Sequence, residues 1–398
     1  MANQPQKTFE PPELQAPIAP ALKRPRILLV GPMPPTKGGV TTFMLNLMAS
    51  YLRRDFEFIA FTTSRPPKRN VIDNWGYGAV LRGGPKRILI GILITLWHQL
   101  KFPFVVIGRR IDLVQIQASD YHVFWEAALY AAMARLLGRP VLFRLGGAFD
   151  IFHAESPPAI KRLISAVLNL PQCVIAQSAF ASGCIRRAGR RGPIVVLSNW
   201  SQDDNNIEVL RASAVSPGFL FIAGTEARRK GIEEVLAAAL KLQQSGSPAR
   251  FHFLAMTPAL TERTTALGLA NVRAIEGPAS HGRVLELMRS TEVFLLPSHG
   301  EGFPNSLIEA MTAGMASIVT PVGAVPEMVA DGGALTIPIG DSEALAAAID
   351  RLARDGELRQ KLGREARNTV MARYTEAASL PVLAKAYETL LRHDAAKA

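Results

Sequence analysis

The chain alternates short β-branched or aromatic runs with Ala- and Leu-rich segments of helical period, and it runs through this series twice. Residues 26–30 (RILLV) read as a buried strand, followed by the turn GPMPPTKGG and the apolar-periodic run 40–52. Strand, Gly-rich turn and helix are the opening unit of a doubly wound α/β domain. Segments 112–116, 140–145, 173–178 and 193–199 read as further strands, and 125–138 as a helix stopping at Gly138. The series restarts with strands at 218–224, 250–256, 271–277, 292–298 and 316–322, interleaved with helices at 231–246, 284–290, 306–314 and 343–355. Such alternation predicts an α/β protein of two doubly wound, Rossmann-like domains, each with a parallel sheet. The expected divisions are a disordered Pro-rich tail at 1–23, a first domain at 24–203 and a second at 204–376, joined near the polar stretch 200–216. A last helix, 377–392, has no strand after it.

A length of 398 residues suits two domains, each with its own core. Hydrophobic residues at 48% and charged residues at 20% exclude a mostly disordered chain. Cys173 and Cys184 are the only cysteines, which excludes a disulfide framework or a four-thiolate zinc site and fits a reducing compartment. The tail lacks the apolar core of a secretory signal, so a cytoplasmic protein is expected.

The net charge of +12 is lopsided: residues 1–200 carry 25 Lys and Arg against 10 Asp and Glu. A basic first half suggests an anionic partner, whether nucleic acid, membrane surface or phosphorylated substrate. The basic residues are dispersed with no recognition motif, which sets nucleic acid last. Residues 88–97 (ILIGILITLW) are apolar on every side of any helix and lie between Lys86-Arg87 and Lys101. Two readings stay open: a helix buried in the first domain, or a helix in a membrane interface with basic flanks on anionic headgroups, the protein then sitting peripherally on the inner face of the membrane.

The densest chemical signal is 297–327, PSHGEGFPNSLIEAMTAGMASIVTPVGAVPE. A strand ends at Pro297-Ser298, a loop carries Gly300 and Gly302, and a helix begins near Pro304–Ser306, capped by Asn or Ser. This predicts a helix N-terminus at the carboxyl edge of a parallel sheet, with amides of Asn305, Ser306 and Leu307 facing the crevice and suited to a phosphate. Glu301 and Glu309 add carboxylates that accept from sugar or ribose hydroxyls. Phosphate plus polyhydroxyl describes a nucleotide sugar. Asp203-Asp204 lacks a third ligand, so no metal site is expected and no cofactor beyond the substrate.

The stretch Glu301-Gly302-Phe303-Pro304-Asn305-Ser306-Leu307-Ile308-Glu309, with Ala310-Met311, Gly314, Pro321, Val322-Gly323 and Pro326-Glu327, resembles the E-x7-E motif of the family-4 retaining glycosyltransferases of GT-B fold. The resemblance runs over roughly residues 26–391 and is more specific in the second half. It implies that Glu301 contacts the donor sugar, Glu309 the ribose and the loop amides the diphosphate. The last helix would return to pack on the first domain. Lys230-Gly231 resembles the family's lysine that neutralises the diphosphate; positive charge there stabilises the charge that builds as the sugar–phosphate bond breaks. Pro34 to Gly39 resembles the family's first loop, placing Gly38 on the acceptor side and Gly39 near the donor. It is not a P-loop, since no Gly-Lys-Ser/Thr follows.

The sequence departs from the family in three places. Thr225 stands where an Arg commonly follows the strand-ending glycine, here Gly224, with Arg228 or Arg229 available to compensate. Arg144-Leu145-Gly146-Gly147 stands where members carry His-Gly, and Gln115 and Gln117 stand for paired histidines. His122, Arg144 and Asp150 are the acceptor-side candidates. The resemblance implies retaining, metal-independent transfer, with catalytic roles for Glu301 and Lys230 and donor contacts from Thr225, Arg228, Gly302, Phe303, Pro304 and Leu307. The partners expected are a nucleotide-sugar donor and a lipid-linked or saccharide acceptor, as in polysaccharide or glycolipid assembly. The alternatives are a nucleotide-sugar epimerase of the same fold and a non-catalytic nucleotide-sugar-binding scaffold.

Overall fold

The computed structural model describes residues 24–36, 38–64, 85–201 and 217–395. The tail at 1–23, Lys37 and the joint at 202–216 with Asp203 and Asp204 lie outside the described residues. Strands β1 (Arg26–Gly31), β2 (Glu57–Thr62), β3 (Leu113–Ala118), β4 (Val141–Leu145), β5 (Cys173–Ala176) and β6 (Ile194–Val196) form one six-stranded sheet in the order β2-β1-β3-β4-β5-β6. Strands β7 (Gly218–Ile222), β8 (Arg250–Met256), β9 (Val272–Glu276), β10 (Val293–Leu296), β11 (Ala316–Val319) and β12 (Ala334–Thr336) form a second, in the order β12-β11-β10-β7-β8-β9. Neighbouring strands are parallel throughout. Two Rossmann-like lobes result, as the double series predicts.

Each sheet has one point where strand order reverses. It lies between β1 and β3 in the first lobe and between β7 and β10 in the second. Loops leaving the carboxyl ends of those two strands part to opposite faces, which opens a crevice. The first lobe thus offers the loops at 32–36 and 119–120 to a ligand, and the second offers 223–231 and 297–304.

Strands β2 and β12 were not anticipated. β2 is a half-exposed edge strand and β12 has three residues, so neither shows a continuous apolar run or a clear alternation. The helices Phe149–Glu155, Pro158–Leu168, Ala179–Arg187, Pro258–Ala266 and Gly356–Arg373 also go beyond the expected set. The last is rich in charged residues and buries only a narrow stripe that includes Leu362, Ala366 and Val370. Predicted strands overran at their carboxyl ends where loop residues are buried too. β5 stops at Ala176 because Ser178 turns to cap the next helix, accepting from the Ala181 amide at 3.0 Å.

The apolar segment at 88–97 belongs to the helix Pro85–Gly108. The reading that buried it in the first domain is overturned: Phe102 and Val106 turn into the core, while Leu89, Ile92, Leu93, Leu96, Trp97 and Leu100 are exposed. The last helix, Glu376–Ala395, leaves the second lobe and lays Leu380, Leu383 and Tyr387 against Ile27, Leu29 and Leu113 of the first sheet. Its Tyr387 hydroxyl donates to Gln115 Oε1.

Candidate active site between the two sheets

The two switch-point loops of the second lobe are bound to one another. At the start of the helix Ile232–Gln244, Gly231 has φ 84°, and a Cβ there would lie 2.2 Å from the carbonyl oxygen of Pro297. Only glycine allows that approach. The His299 amide donates to the Arg229 carbonyl at 2.7 Å. These contacts bring the Arg228–Lys230 turn against the Glu301 loop. Glu301 is nearly buried; its Oε1 accepts from Ser298 Oγ at 2.9 Å and its Oε2 pairs with Arg229 Nη1 at 3.2 Å. Arg229 also donates to the Gly300 carbonyl and to Glu226.

Burial alone would lower the Arg229 pKa, but Glu301 and Glu226 outweigh it and hold the guanidinium above its ordinary value. Lys230 beside it is pushed the other way. Burial is the largest effect and lowers its ammonium below the usual lysine range; Glu301, Glu226 and Glu309 oppose the shift and Arg229 reinforces it. Arg228 is the outward member of the triplet, near Glu233, whose carboxyl it helps lower after the dominant hydrogen bond from Arg263 and against burial. Of the two arginines named as compensation for Thr225, the one on the Glu301 loop is therefore Arg229. Thr225 itself lies in the short 3-10 turn Gly224–Glu226.

The helix that follows the loop spans Asn305–Thr312. Its N-cap is Pro304, and no side chain caps it, contrary to the expected Asn or Ser cap. Asn305 is instead drawn across to the other lobe, where its Oδ1 accepts from Asn199 Nδ2 at 2.5 Å. The Leu307 amide bonds back to the Pro304 carbonyl at 3.1 Å, leaving the amides of Asn305 and Ser306 as the open donors. The Leu307 side chain is fully buried, and Phe303 packs edge-to-face with Tyr374 at 5.6 Å; both are core anchors of the loop. Glu309 sits on the second turn, 3.9 Å from His281 Nδ1, and faces a small cavity bounded by Thr42, Asn46 and Trp200.

Glu301 faces a different and larger cleft of about 250 Å³. Its second-lobe wall is Glu226, Arg229, Glu301, Gly302 and Phe303, and its first-lobe wall includes Gly39, Asp120, His122, Gly147 and Gln177. His122 is exposed in the cleft, and Gly39 begins the helix Gly39–Ala49 directly after Gly38. Asp120, which belongs to no motif of the chain, accepts from Ser119 Oγ at 2.9 Å and from the Ala148 amide at 3.3 Å. Burial raises its pKa against those hydrogen bonds, and Glu226 across the cleft raises it further. A carboxyl so perturbed in a cleft is a functional candidate. Asp150 lies aside, on a small adjoining cavity with Cys184 and Phe180.

Arg144 is not a cleft residue. It is buried, its guanidinium carbon sits 3.6 Å above the Phe43 ring, and burial lowers its pKa to about 9. It donates to Asn199 Oδ1 and, at 3.4 Å, to Gln117 Oε1. Asn199 in turn donates to Asn305 and, at 3.4 Å, to the Phe303 carbonyl. The guanidinium therefore orients an amide that clasps the two lobes. Gln115 and Gln117, in place of the family's histidines, are buried struts as well. A second clasp is Glu327, whose carboxylate accepts from the Ala179 amide at 2.9 Å and the Phe180 amide, capping a helix of the opposite lobe.

The comparisons with known proteins agree with this architecture. Residues 37–201 match the family described as Glycosyltransferase Family 4, and residues 206–369 match Glycosyl transferases group 1. Alpha-D-kanosaminyltransferase of Streptomyces kanamyceticus is 27% identical over 288 residues, covering 66% of this chain and 74% of that protein. Phosphatidyl-myo-inositol mannosyltransferase of Mycolicibacterium smegmatis is 30% identical over 142 residues, 35% of this chain and 37% of that protein. Capsular polysaccharide biosynthesis glycosyltransferase CapM of Staphylococcus aureus is 30% identical over 114 residues, 28% of this chain and 30% of that protein. Among solved structures, sucrose-phosphate synthase of Thermosynechococcus elongatus superposes with TM-score 0.73 at 18% identity, over 93% of this chain and 100% of that one. Anabaena HepE in complex with UDP and glucose gives 0.64 at 14% identity, over 91% and 99%. The two family matches together span both lobes, and the chain belongs to the family-4 glycosyltransferases.

Proposed function

We propose that this protein transfers a sugar, with retention of anomeric configuration, from a nucleotide-diphosphate sugar to an acceptor hydroxyl. The observation that carries the proposal is the charge arrangement at the second lobe's switch point: Lys230 and Arg229 beside Glu301, with the open amides of Asn305 and Ser306 at the start of the helix that follows the loop. The diphosphate lies along those amides and Lys230. Glu301 receives donor-sugar hydroxyls, and Glu309 receives the ribose. As the sugar–phosphate bond lengthens, negative charge grows on the leaving phosphate, and a cation fixed there lowers the barrier without reorganising. The acceptor enters from the wall that holds His122 and Asp120, and the departing phosphate oxygen takes its proton from the same face. Lys230 and Arg229 supply the positive charge, so the transfer is metal-independent.

The acceptor class we propose is a lipid-linked or saccharide precursor. The matching relatives include a protein named for a phosphatidyl-inositol lipid and one named for capsular polysaccharide. In a panel of uridine, guanosine and adenosine diphosphate sugars, one donor is expected to release nucleoside diphosphate at a rate that EDTA leaves unchanged. Glu301→Gln keeps the side chain's shape but removes its charge, and should lower that rate about 100-fold, in the range seen when one transition-state contact is lost. Unimpaired turnover in this variant would sink the assignment of Glu301. Proton NMR of the product distinguishes retention from inversion.

A further inference from the structure

The helix Pro85–Gly108 is far longer than the strands it accompanies. It connects β2 to β3, two parallel strands, so it runs antiparallel to them, and its N-terminal end lies toward their carboxyl edge. That edge is also where Gly39, Asp120 and His122 line the cleft. Phe61, one residue before the end of β2, packs on Phe102 at 5.5 Å and on His98 at 6.2 Å. The turn at 98–102 therefore marks the level of the sheet edge. The residues ahead of His98 extend past it, by roughly 20 Å at 1.5 Å per residue.

This projecting part exposes a row of large apolar side chains. Leu93 is 55% exposed and Trp97 65%, and the surface continues through Leu100 and Phe104 to Leu129 and Leu136 on the adjoining helix Tyr121–Leu136. No acidic residue occurs from 85 to 111, and cations stand at both ends of the run: Lys86-Arg87 in sequence before it, and exposed Arg109, Arg110 and Arg135 after it. A patch this large and continuous is a contact surface. The helix is long and apolar enough to cross a bilayer. Its Phe102 and Val106, however, are locked into the first lobe's core against Tyr130, so it cannot cross without unpacking that lobe.

We propose that this helix lies in the interfacial layer of an anionic membrane, with its apolar face among the acyl chains and its basic ends on lipid phosphates. Charge selects this occupant over a second copy of the chain, since two copies face to face would oppose cation to cation. The placement sets the acceptor side of the cleft at the membrane, so that a lipid-linked hydroxyl reaches it without leaving the bilayer. That last clause rests on the proposed transferase function; the membrane contact itself does not.

The experiment is vesicle co-sedimentation of the full chain with phosphatidylcholine alone and with phosphatidylglycerol added. The wild type should partition into the anionic vesicles at least about tenfold more strongly, less so in high salt, and Trp97 fluorescence should shift to the blue. Leu93→Glu with Trp97→Glu should abolish partitioning while leaving the melting temperature and donor hydrolysis unchanged. If that pair lowers the melting temperature, Leu93→Ser with Trp97→Ser is the variant to read, with the same expected loss. Binding that survives these substitutions overturns the proposal. So does absence of vesicle binding, including the case of a concentration-dependent dimer that the same substitutions dissociate. Loss of transfer to lipid acceptors with vesicle binding intact would count against the transferase reading alone.

Discussion

Lys230→Met is expected to lower nucleoside diphosphate release by about 10²–10³-fold while leaving the melting temperature unchanged or higher. The two effects part because the same burial produces both. Moving an ammonium out of water disfavours its charged form, and the lowered pKa of Lys230 records that cost in the ligand-free protein. A bound diphosphate offsets the cost with its own charge. Methionine has nearly the same length and no charge, so it removes the cation proposed to stabilise the leaving phosphate and the desolvation penalty together. The pH dependence gives an independent check. The folded-state pKa lies below the unfolded one, so between the two values the unfolded chain binds more protons and the wild type gains stability as pH rises. The Met variant should lose that gain in melting curves across the alkaline range. In the wild type, kcat/KM should fall on the alkaline side below the ordinary lysine range, because the neutral amine no longer meets the phosphate. Full turnover by Lys230→Met would remove this residue from the mechanism.

The lobes and most of the candidate site are legible in the residue pattern because the signals are local. Strand–turn–helix alternation needs only the period of apolar residues, and the Glu301–Glu309 unit with its glycines is continuous in the chain. What escaped is non-local or not periodic. Strand β2 shows no clean pattern, since an edge strand is free of the burial that writes one. Asn305 suits a helix cap, and the local rule assigned it that role, but a partner 106 residues away, Asn199, competes for its side chain. Arg144 reads as a polar residue at a sheet's carboxyl edge and hence as a ligand; the stacking on Phe43 and the reach to Asn199 that bury it depend on three distant segments. Arg229 and Arg228 are indistinguishable in sequence, and only the docking of Gly231 on Pro297 decides which one turns inward. Tertiary contacts, not propensity, thus choose which of several plausible polar groups serve the cleft.

Gly302→Ala is expected to reduce transfer at least about 100-fold with the fold intact, because it adds one methyl group where the lobes meet. A Cβ at Gly302 would lie 2.3 Å from the Gly147 carbonyl oxygen and 3.3 Å from Gln177 Oε1, both in the opposite lobe. The close neighbour is backbone and cannot swing aside, so relief must come from parting the lobes or shifting the Glu301 loop. Either displaces reacting groups by about 1 Å, and displacements of that size cost on the order of 10²-fold in rate. A parted cleft also admits water to the activated sugar, so donor hydrolysis should fall less than transfer to the acceptor. Neither lobe's core is touched, and the melting temperature should stay within a few degrees of wild type. Gly147→Ala makes the instructive contrast. That residue has φ 70°, and its Cβ would lie 2.4 Å from Ser119 Oγ within its own lobe, so strain there should lower stability as well as rate. Small-angle scattering with a nucleoside diphosphate bound reports the lobe separation directly: the wild type should contract and Gly302→Ala should not. Equal contraction together with unimpaired transfer would show that the lobes do not need this approach to work.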